Sequence, residues 1–443
     1  MNPNPRPGRP GRPWSLLAAL SLTLAACGGD SDRRTPIADG CTIPQQNQAV
    51  YDTMQEFYLW NEELPVLDPR SFNSPEALLD ALLFKPLDRF SFITTQAEEE
   101  ALFGSSQFIG FGFRSTTVGA TVRAIDVFEG APSDQAGLVR GSTILAVDGV
   151  PIADVLAAPG GFSGSLGPAE IGVEVTLQFR NPDGAEFTRT LAKDIVTIPP
   201  VTATRVFEVN GQPTGHLAFR NFVVPGIAAL DAAFAEFRAA GVTQLIVDLR
   251  YNGGGLISVL EHFADLLGSR IAPAAIFAGY EYNDKNSARD QIFLFRATPL
   301  PSALDLERLV FITTPATASA SEMLVNGMPP HVTTVSVGSA TFGKPVGQLG
   351  FAFCEKVLRP VSFRTVNSVG EGDFFDGIQA DCPAGDTIDV AFGTPGEASF
   401  DTAVAWLEQG FCPPAVQAFS LRAAPDAEPL PRAQARWRVN DAH

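Results

Sequence analysis

The sequence predicts a multidomain chain: a small helical N-terminal domain, a β-rich middle domain and a C-terminal α/β domain. Three observations predict it. At 443 residues the chain is too long for one ordinary domain. Glycine-punctuated apolar strands crowd the stretch from about 107 to 195. From about 198 onward, short apolar strands alternate with amphipathic helical segments.

The first 27 residues read as a processed signal. Arg6, Arg9 and Arg12 make a positive start, and Leu17 to Ala26 is an apolar run shorter than the roughly 20 residues of a membrane span. The run ends in Leu24-Ala25-Ala26-Cys27-Gly28, which resembles the lipobox of bacterial lipoproteins. That resemblance implies a lipidated Cys27 and a periplasm-facing place in a bacterial cell envelope. Gly28 after the cysteine leans toward the outer membrane. An ordinary signal peptide with a chance cysteine is the alternative. Residues 28–40 are rich in Gly, Asp, Ser, Arg and Pro and read as a flexible tether.

Residues 41–104 carry the helical domain. Tyr51, Met54, Phe57, Tyr58 and Leu59 fall on one face. Ser74-Pro75-Glu76-Ala77 starts a second helix with a capping serine, ahead of Leu78, Leu79, Leu82 and Leu83. Residues 105–197 form the β-rich domain. Phe108 to Phe113 reads as one strand and Thr121 to Val127 as another. Gly130 to Leu138 reads as a turn and short helix, and Gly141 to Gly149 as a strand closed by an Asp-Gly turn. Residues 198–413 form the α/β domain. Its elements include a helix over 225–240 striped by Ile227, Leu230, Phe234 and Phe237, and buried strands at Leu245–Leu249 and Leu309–Ile312. A mobile tail is expected over 414–443, where no apolar stripe continues.

Net charge is −18, which excludes nucleic acid as a natural partner. Beyond Cys27, four cysteines remain. Export permits disulfides, and three pairings are open. Cys354 with Cys382 and Cys41 with Cys412 joins near neighbours and ties the two ends, so it is the expected pairing, with free thiols the alternative. The four histidines are scattered, no HExxH or CxxC pattern occurs, and neither metal nor other cofactor is expected.

Three segments carry chemistry. Asp248-Leu249-Arg250-Tyr251-Asn252-Gly253-Gly254-Gly255 places three glycines directly after a buried strand, where outward N–H groups can nest an anion. Thr317-Ala318-Ser319-Ala320-Ser321-Glu322 puts a serine at a strand-to-helix corner, although Ser319 and Glu322 also have the spacing of a capping box. Thr341-Phe342-Gly343-Lys344-Pro345-Val346-Gly347-Gln348 sets one of few lysines among glycines and apolar groups, where loss of water would lower its pKa.

Together these motifs resemble the C-terminal processing peptidases, a carboxyl-terminal serine protease family of S41 type related to tricorn. The interval from Ser319 to Lys344 is the family's 25 residues. The resemblance implies Ser319 as nucleophile, Lys344 as general base, Gln348 holding the lysine, and the amides of Gly254 and Ala320 as oxyanion hole. Gly253 stands where proline is common, and residues 280–300 match nothing in the pattern. The run from Gly130 to Gly149 resembles a PDZ domain, which implies that a peptide C-terminus docks beside Gly110, Phe111, Gly112 and Phe113. A small β domain without a ligand is the alternative. The expected activity is therefore a serine endopeptidase acting on protein or peptide substrates. The rival is a silent PDZ-containing scaffold lipoprotein.

Overall fold

A computed structural model describes residues 40–414. The signal segment, Cys27, all of the tether but residue 40, and the tail after residue 414 lie outside the described residues.

The N-terminal module holds α1 (Ile43–Phe57), α2 (Pro75–Leu82) and β1 (Phe92–Thr95). Helix α2 starts where the sequence says it should: Ser74 Oγ accepts the Ala77 N–H at 3.1 Å, and Pro75 fills a position needing no N–H donor. Tyr58, Met54, Leu78 and Leu82 are buried together with Phe351, Phe353 and Leu358. The module is thus welded to C-terminal strands, and β1 pairs antiparallel with residues 356–359.

After α3 (Gln96–Glu99) the chain enters the β-rich module. It contains β2 (Gln107–Gly110), β3 (Phe113–Val118), β4 (Thr121–Val127), α4 (Pro132–Gln135), β5 (Thr143–Val147), β6 (Val150–Pro151), α5 (Ile152–Ala157), α6 (Gly161–Ser165), β7 (Glu174–Arg180), β8 (Glu186–Ala192) and β9 (Asp194–Thr197). The single strand expected over 108–113 is instead two. Gly112 has φ +92, and a Cβ there would lie 2.1 Å from Ala131 Cβ, so the chain breaks direction where α4 packs close. β2 pairs with β9, while β3 comes first in the order of the separate sheet β3-β4-β5-β7-β8 among the described residues. Asp148 and Gly149, both at positive φ, make the expected tight turn.

The α/β module is built on a six-stranded sheet. Its strands are β10 (Val201–Val209), β11 (Gln212–Phe219), β12 (Gln244–Asp248), β15 (Arg308–Thr313), β16 (Thr333–Gly338) and β21 (Cys382–Pro383), in that order, parallel from β11 onward. All five residues of β12 are buried, as a central parallel strand requires. Helices α7 (Val224–Ala239) and α8 (Ile257–Gly268) pack on one face through Leu230, Phe234, Phe237 and Phe263, and α9 (Ala320–Gly327) joins the same core. Helix α10 (Ala398–Gln409) covers the other face through Phe400 and Trp406. A second sheet orders as β14 (Gln291–Leu294), β13 (Ile276–Tyr282), β20 (Val361–Asn367) and β17 (Val346–Gln348), and β18 (Phe351–Phe353) pairs with β19 (Lys356–Arg359). The sequence did not disclose this second sheet, which takes in part of the unmatched stretch 280–300.

The disulfides correct the expected pairing. Cys41 joins Cys354 and Cys382 joins Cys412, with Cα separations of 5.8 and 5.3 Å. Closeness in sequence misled because the start of α1 lies on the β18–β19 turn, while the chain after α10 returns to β21 at the sheet edge.

Two buried ion clusters fix the β-rich module to the α/β module. Asp126 takes a two-pronged bond from Arg220 at 2.8 and 2.6 Å. Arg140 reaches Asp386 at 2.6 Å, and Asp386 also receives Arg250 and the Tyr251 hydroxyl. Removing one member of such a cluster strands a buried charge, a loss of about 3–5 kcal/mol.

Candidate active site

The three chemical segments meet because three adjacent parallel strands end together. β12 stops at Asp248, β15 at Thr313 and β16 at Gly338, and the glycine nest, the Ser319 turn and the Lys344 loop follow them in turn. The carboxyl ends of parallel strands are the open rim of such a sheet, since helices close both faces.

Ser319 is the N-cap of α9, with φ 58° and ψ −118°. A non-glycine residue held there stores about 1–3 kcal/mol. Its surroundings enforce it: Thr317 Oγ1 donates to the Leu249 carbonyl at 2.8 Å, and the Ala318 N–H donates to the Asn252 carbonyl at 3.0 Å. Such a corner holds a side-chain oxygen clear of the main chain. Ala320 opens the helix, so its N–H has no acceptor one turn back and faces the positive end of the helix dipole.

Gly254 lies against this corner. A Cβ at Gly254 would sit 2.7 Å from the Ala318 carbonyl oxygen and 2.8 Å from both Ala320 N and Ser319 Cβ. With φ +92 as well, the position admits only glycine. The Gly254 N–H is already engaged, donating to Asn252 Oδ1 at 2.9 Å. Asn252 is wholly buried, and its carbonyl also accepts the Ser321 hydroxyl at 3.0 Å. Sequence reasoning gave Asn252 no role of its own, yet it is the strut between nest and serine turn.

Glu322 is the second residue whose part was missed. It is fully buried. Oε2 accepts the Ser319 N–H at 2.9 Å and the Lys344 N–H at 2.8 Å. Oε1 accepts Thr341 Oγ1 at 2.5 Å and the Gly343 N–H at 2.7 Å. Four donors and no competing acceptor call for an ionised carboxylate. Burial raises its pKa, and those four hydrogen bonds pull the other way. The Ser-x-x-Glu spacing marked it as a capping residue only; the same carboxylate also captures the lysine loop.

Lys344 Nζ donates to Gln348 Oε1 at 2.6 Å. The residue keeps some surface exposure, but its ammonium group is surrounded by protein. Burial pushes its pKa down to about 8. Glu322 and Asp88 oppose that fall, and Arg359 assists it. A lysine in that range is partly neutral in mildly alkaline solution, as a general base must be.

Gly110, Phe111, Gly112 and Phe113 lie in the β-rich module, not on the strands that carry Ser319 and Lys344. Their side chains are core: Phe111 and Phe113 are fully buried. Anything docking there meets backbone, with Lys193 Nζ 5.2 Å from the Phe111 ring centroid. His216 is buried on β11, edge-on to Phe400 of α10, with Nε2 3.9 Å from Asp248. Burial pushes Asp248 up, but Arg250 and His216 outweigh it and hold the carboxyl below the usual range. Among the described residues, no group of three or more His, Cys, Asp or Glu is placed to hold a metal ion.

The Peptidase S41 N-terminal domain matches residues 45–92, and Peptidase family S41 matches residues 214–383. A chloroplastic C-terminal processing peptidase of Tetradesmus obliquus is 30% identical over 255 residues, covering 53% of this chain and 51% of the relative. A carboxyl-terminal-processing protease of Synechocystis sp. is 26% identical over 223 residues, covering 48% and 47%. The chain spans about half the length of the curated relatives it matches. A crystal structure of a Bacteroides fragilis protein described as an S41 protease shares the fold, with TM-score 0.67 at 22% identity over 81% of this chain and 96% of that one. One family region takes in the helical module and the other takes in the nest, Ser319 and Lys344, so the chain matches the S41 carboxyl-terminal-processing peptidase family.

Proposed function

We propose that this chain is an exported serine endopeptidase that hydrolyses peptide bonds of protein substrates with a Ser319–Lys344 dyad. One observation carries the reading. The main-chain amides of Ser319 and Lys344, 25 residues apart in sequence, share a single oxygen of Glu322, so the serine turn and the lysine loop run side by side. Neutral Lys344 takes the proton of Ser319 Oγ as that oxygen attacks the scissile carbonyl. The amide of Ala320 stabilises the oxyanion at the helix end. Gly254 contributes once the substrate oxygen shares its N–H with Asn252. The lysine then protonates the leaving amine, and water activated by the same lysine frees the acyl group.

Residues 105–197 are read as a PDZ-type module that recognises substrate C-termini. The resemblance of the run from Gly130 to Gly149 to a PDZ domain supports this, since such modules take an extended peptide as a further strand. The names of the relatives, which speak of carboxyl-terminal processing, point the same way. The basic leader and Cys27 support a lipid tether in a bacterial envelope, more in keeping with the outer membrane.

The test is cleavage of an unfolded protein by purified wild type, Ser319→Ala and Lys344→Ala. Both variants are expected to fold and to lose cleavage. The Ser319→Ala protein should bind peptides with a free C-terminus better than amidated ones. Wild-type cleavage by either variant sinks the dyad. A wild type that binds such peptides and never cuts them would be the silent scaffold.

A further inference from the structure

The lysine pocket has a wall that comes from the other end of the chain. Lys344 Nζ lies 5.9 Å from the ring centroid of Phe90, which is 7% exposed and packs edge-on against Phe342 at 6.1 Å. The carbonyl of Phe90 also matters. Gln348 Nε2 donates to Phe90 O at 2.8 Å and to Arg359 O at 2.9 Å. With both amide protons committed to carbonyls, Oε1 of Gln348 has to face the lysine.

Phe90 stands on a rigid turn. Asp88 is fully buried. Its Oδ1 accepts the Phe90 and Ser91 N–H groups at 2.8 and 2.9 Å, and its Oδ2 accepts Ser91 Oγ at 2.6 Å and the Tyr58 hydroxyl at 2.7 Å. Ser91 Oγ in turn accepts the Val361 N–H at 2.8 Å. A carboxylate that saturated is a clamp: it fixes both the ring and the carbonyl of the residue two places on.

We propose that Phe90 is a positioning residue for the lysine: its ring shuts water from Lys344, and its clamped carbonyl aims Gln348, so that the N-terminal helical module forms a wall of the catalytic pocket. This rests on the reading of Lys344 as general base. Two effects of the ring oppose each other. Ring attraction for an ammonium favours the charged form but weakens toward about 6 Å, the separation found here. Exclusion of water favours the neutral form and is the larger effect for an enclosed lysine. The charged groups facing Lys344 are Glu322 and Asp88, which hold its proton on, and Arg359, which drives it off while itself paired with Glu99. The Arg89 guanidinium lies over Phe90 and Phe342 and donates to the carbonyls of Phe342, Gly343 and Phe375.

The experiment uses the full chain with Phe90→Ala and Phe90→Leu. Two midpoints are measured: that of the rising limb of kcat/KM against pH, and that of Lys344 acetylation by acetic anhydride, followed by mass spectrometry. Phe90→Ala admits water and should raise both midpoints by about one pH unit, while Phe90→Leu keeps the wall dry and leaves them in place. Midpoints that stay put in Phe90→Ala, with only the rate reduced, overturn the proposal and leave Phe90 a packing residue. If Phe90→Ala does not fold, Phe90→Val must show a smaller shift in the same direction, and an unmoved midpoint there overturns it equally. The acetylation midpoint does not need catalysis. Were Lys344→Ala to cleave like wild type, the dyad would fall while the effect of Phe90 on the lysine could still be read.

Discussion

Glu322→Gln separates charge from shape at the centre of the site. An amide fits the cavity but must turn its NH2 toward one pair of donors. On the Oε2 side it would face the Ser319 and Lys344 amides, and neither can become an acceptor. On the Oε1 side it would face Thr341, whose hydroxyl can rotate to accept, and the Gly343 N–H, which cannot. The second placement wins. It leaves one buried N–H unpaired, a penalty of about 1–3 kcal/mol, relieved by pushing Gly343 and Lys344 outward. A displacement on the order of 1 Å at a reacting group lowers the rate about 100-fold. The pH profile moves the opposite way to intuition about a damaged enzyme. Wild-type activity should rise through about pH 8 as Lys344 loses its proton. Glu322 raises that pKa, so removing its charge lowers it, and the rising limb of the variant should shift to more acid pH beneath a reduced plateau. The assay is kcat/KM on an unfolded protein from about pH 6 to 10, with thermal melts to confirm folding. A folded Glu322→Gln with the wild-type plateau and limb would falsify the shared-carboxylate account.

Two further outcomes are expected. Gly254→Ala puts a methyl group against Ser319 and Ala320 at a positive φ, so it should lower kcat by roughly 100-fold or more and destabilise the fold by about 1–2 kcal/mol; near-normal turnover would remove Gly254 from oxyanion binding. Cys27→Ser should release the protein from membranes and abolish incorporation of a labelled fatty acid; label retained in the variant would remove the tether from the functional reading.

What could be read from the sequence was local. The Ser74 cap, the Asp148-Gly149 turn, the buried run of β12 and the corner at Ser319 each depend on residues a few positions apart, and each stands where the pattern put it. The strand expected over 108–113 failed for a non-local reason: the kink at Gly112 is imposed by Ala131, which the sequence does not place beside it. The disulfides failed the same way. Cys41 and Cys354 are 313 residues apart and are joined because the N-terminal module packs on the β18–β19 turn.

The candidate site shows the same divide at finer scale. Ser319 and Lys344 could be singled out because each lies in a short segment whose composition suggests its chemistry. What sets the pKa of Lys344 is its surrounding, and that surrounding is drawn from segments no spacing rule connects: Asp88 and Phe90 from the first module, Glu322 from α9, Gln348 from β17 and Arg359 from β19. Gln348 illustrates the limit. Its place four residues after the lysine suggests a partner, but the direction of its amide is decided by the carbonyls of Phe90 and Arg359. An amide turned the other way would point donors at the ammonium, lose both of those bonds and lower the lysine pKa further. The Ser319 corner is therefore specified by its own turn, while the surroundings of Lys344 are specified by the tertiary fold. On that reasoning, substitutions far from Ser319 in sequence, in the helical module above all, should move the pH dependence of cleavage, whereas those in the Ser319 turn should move its plateau.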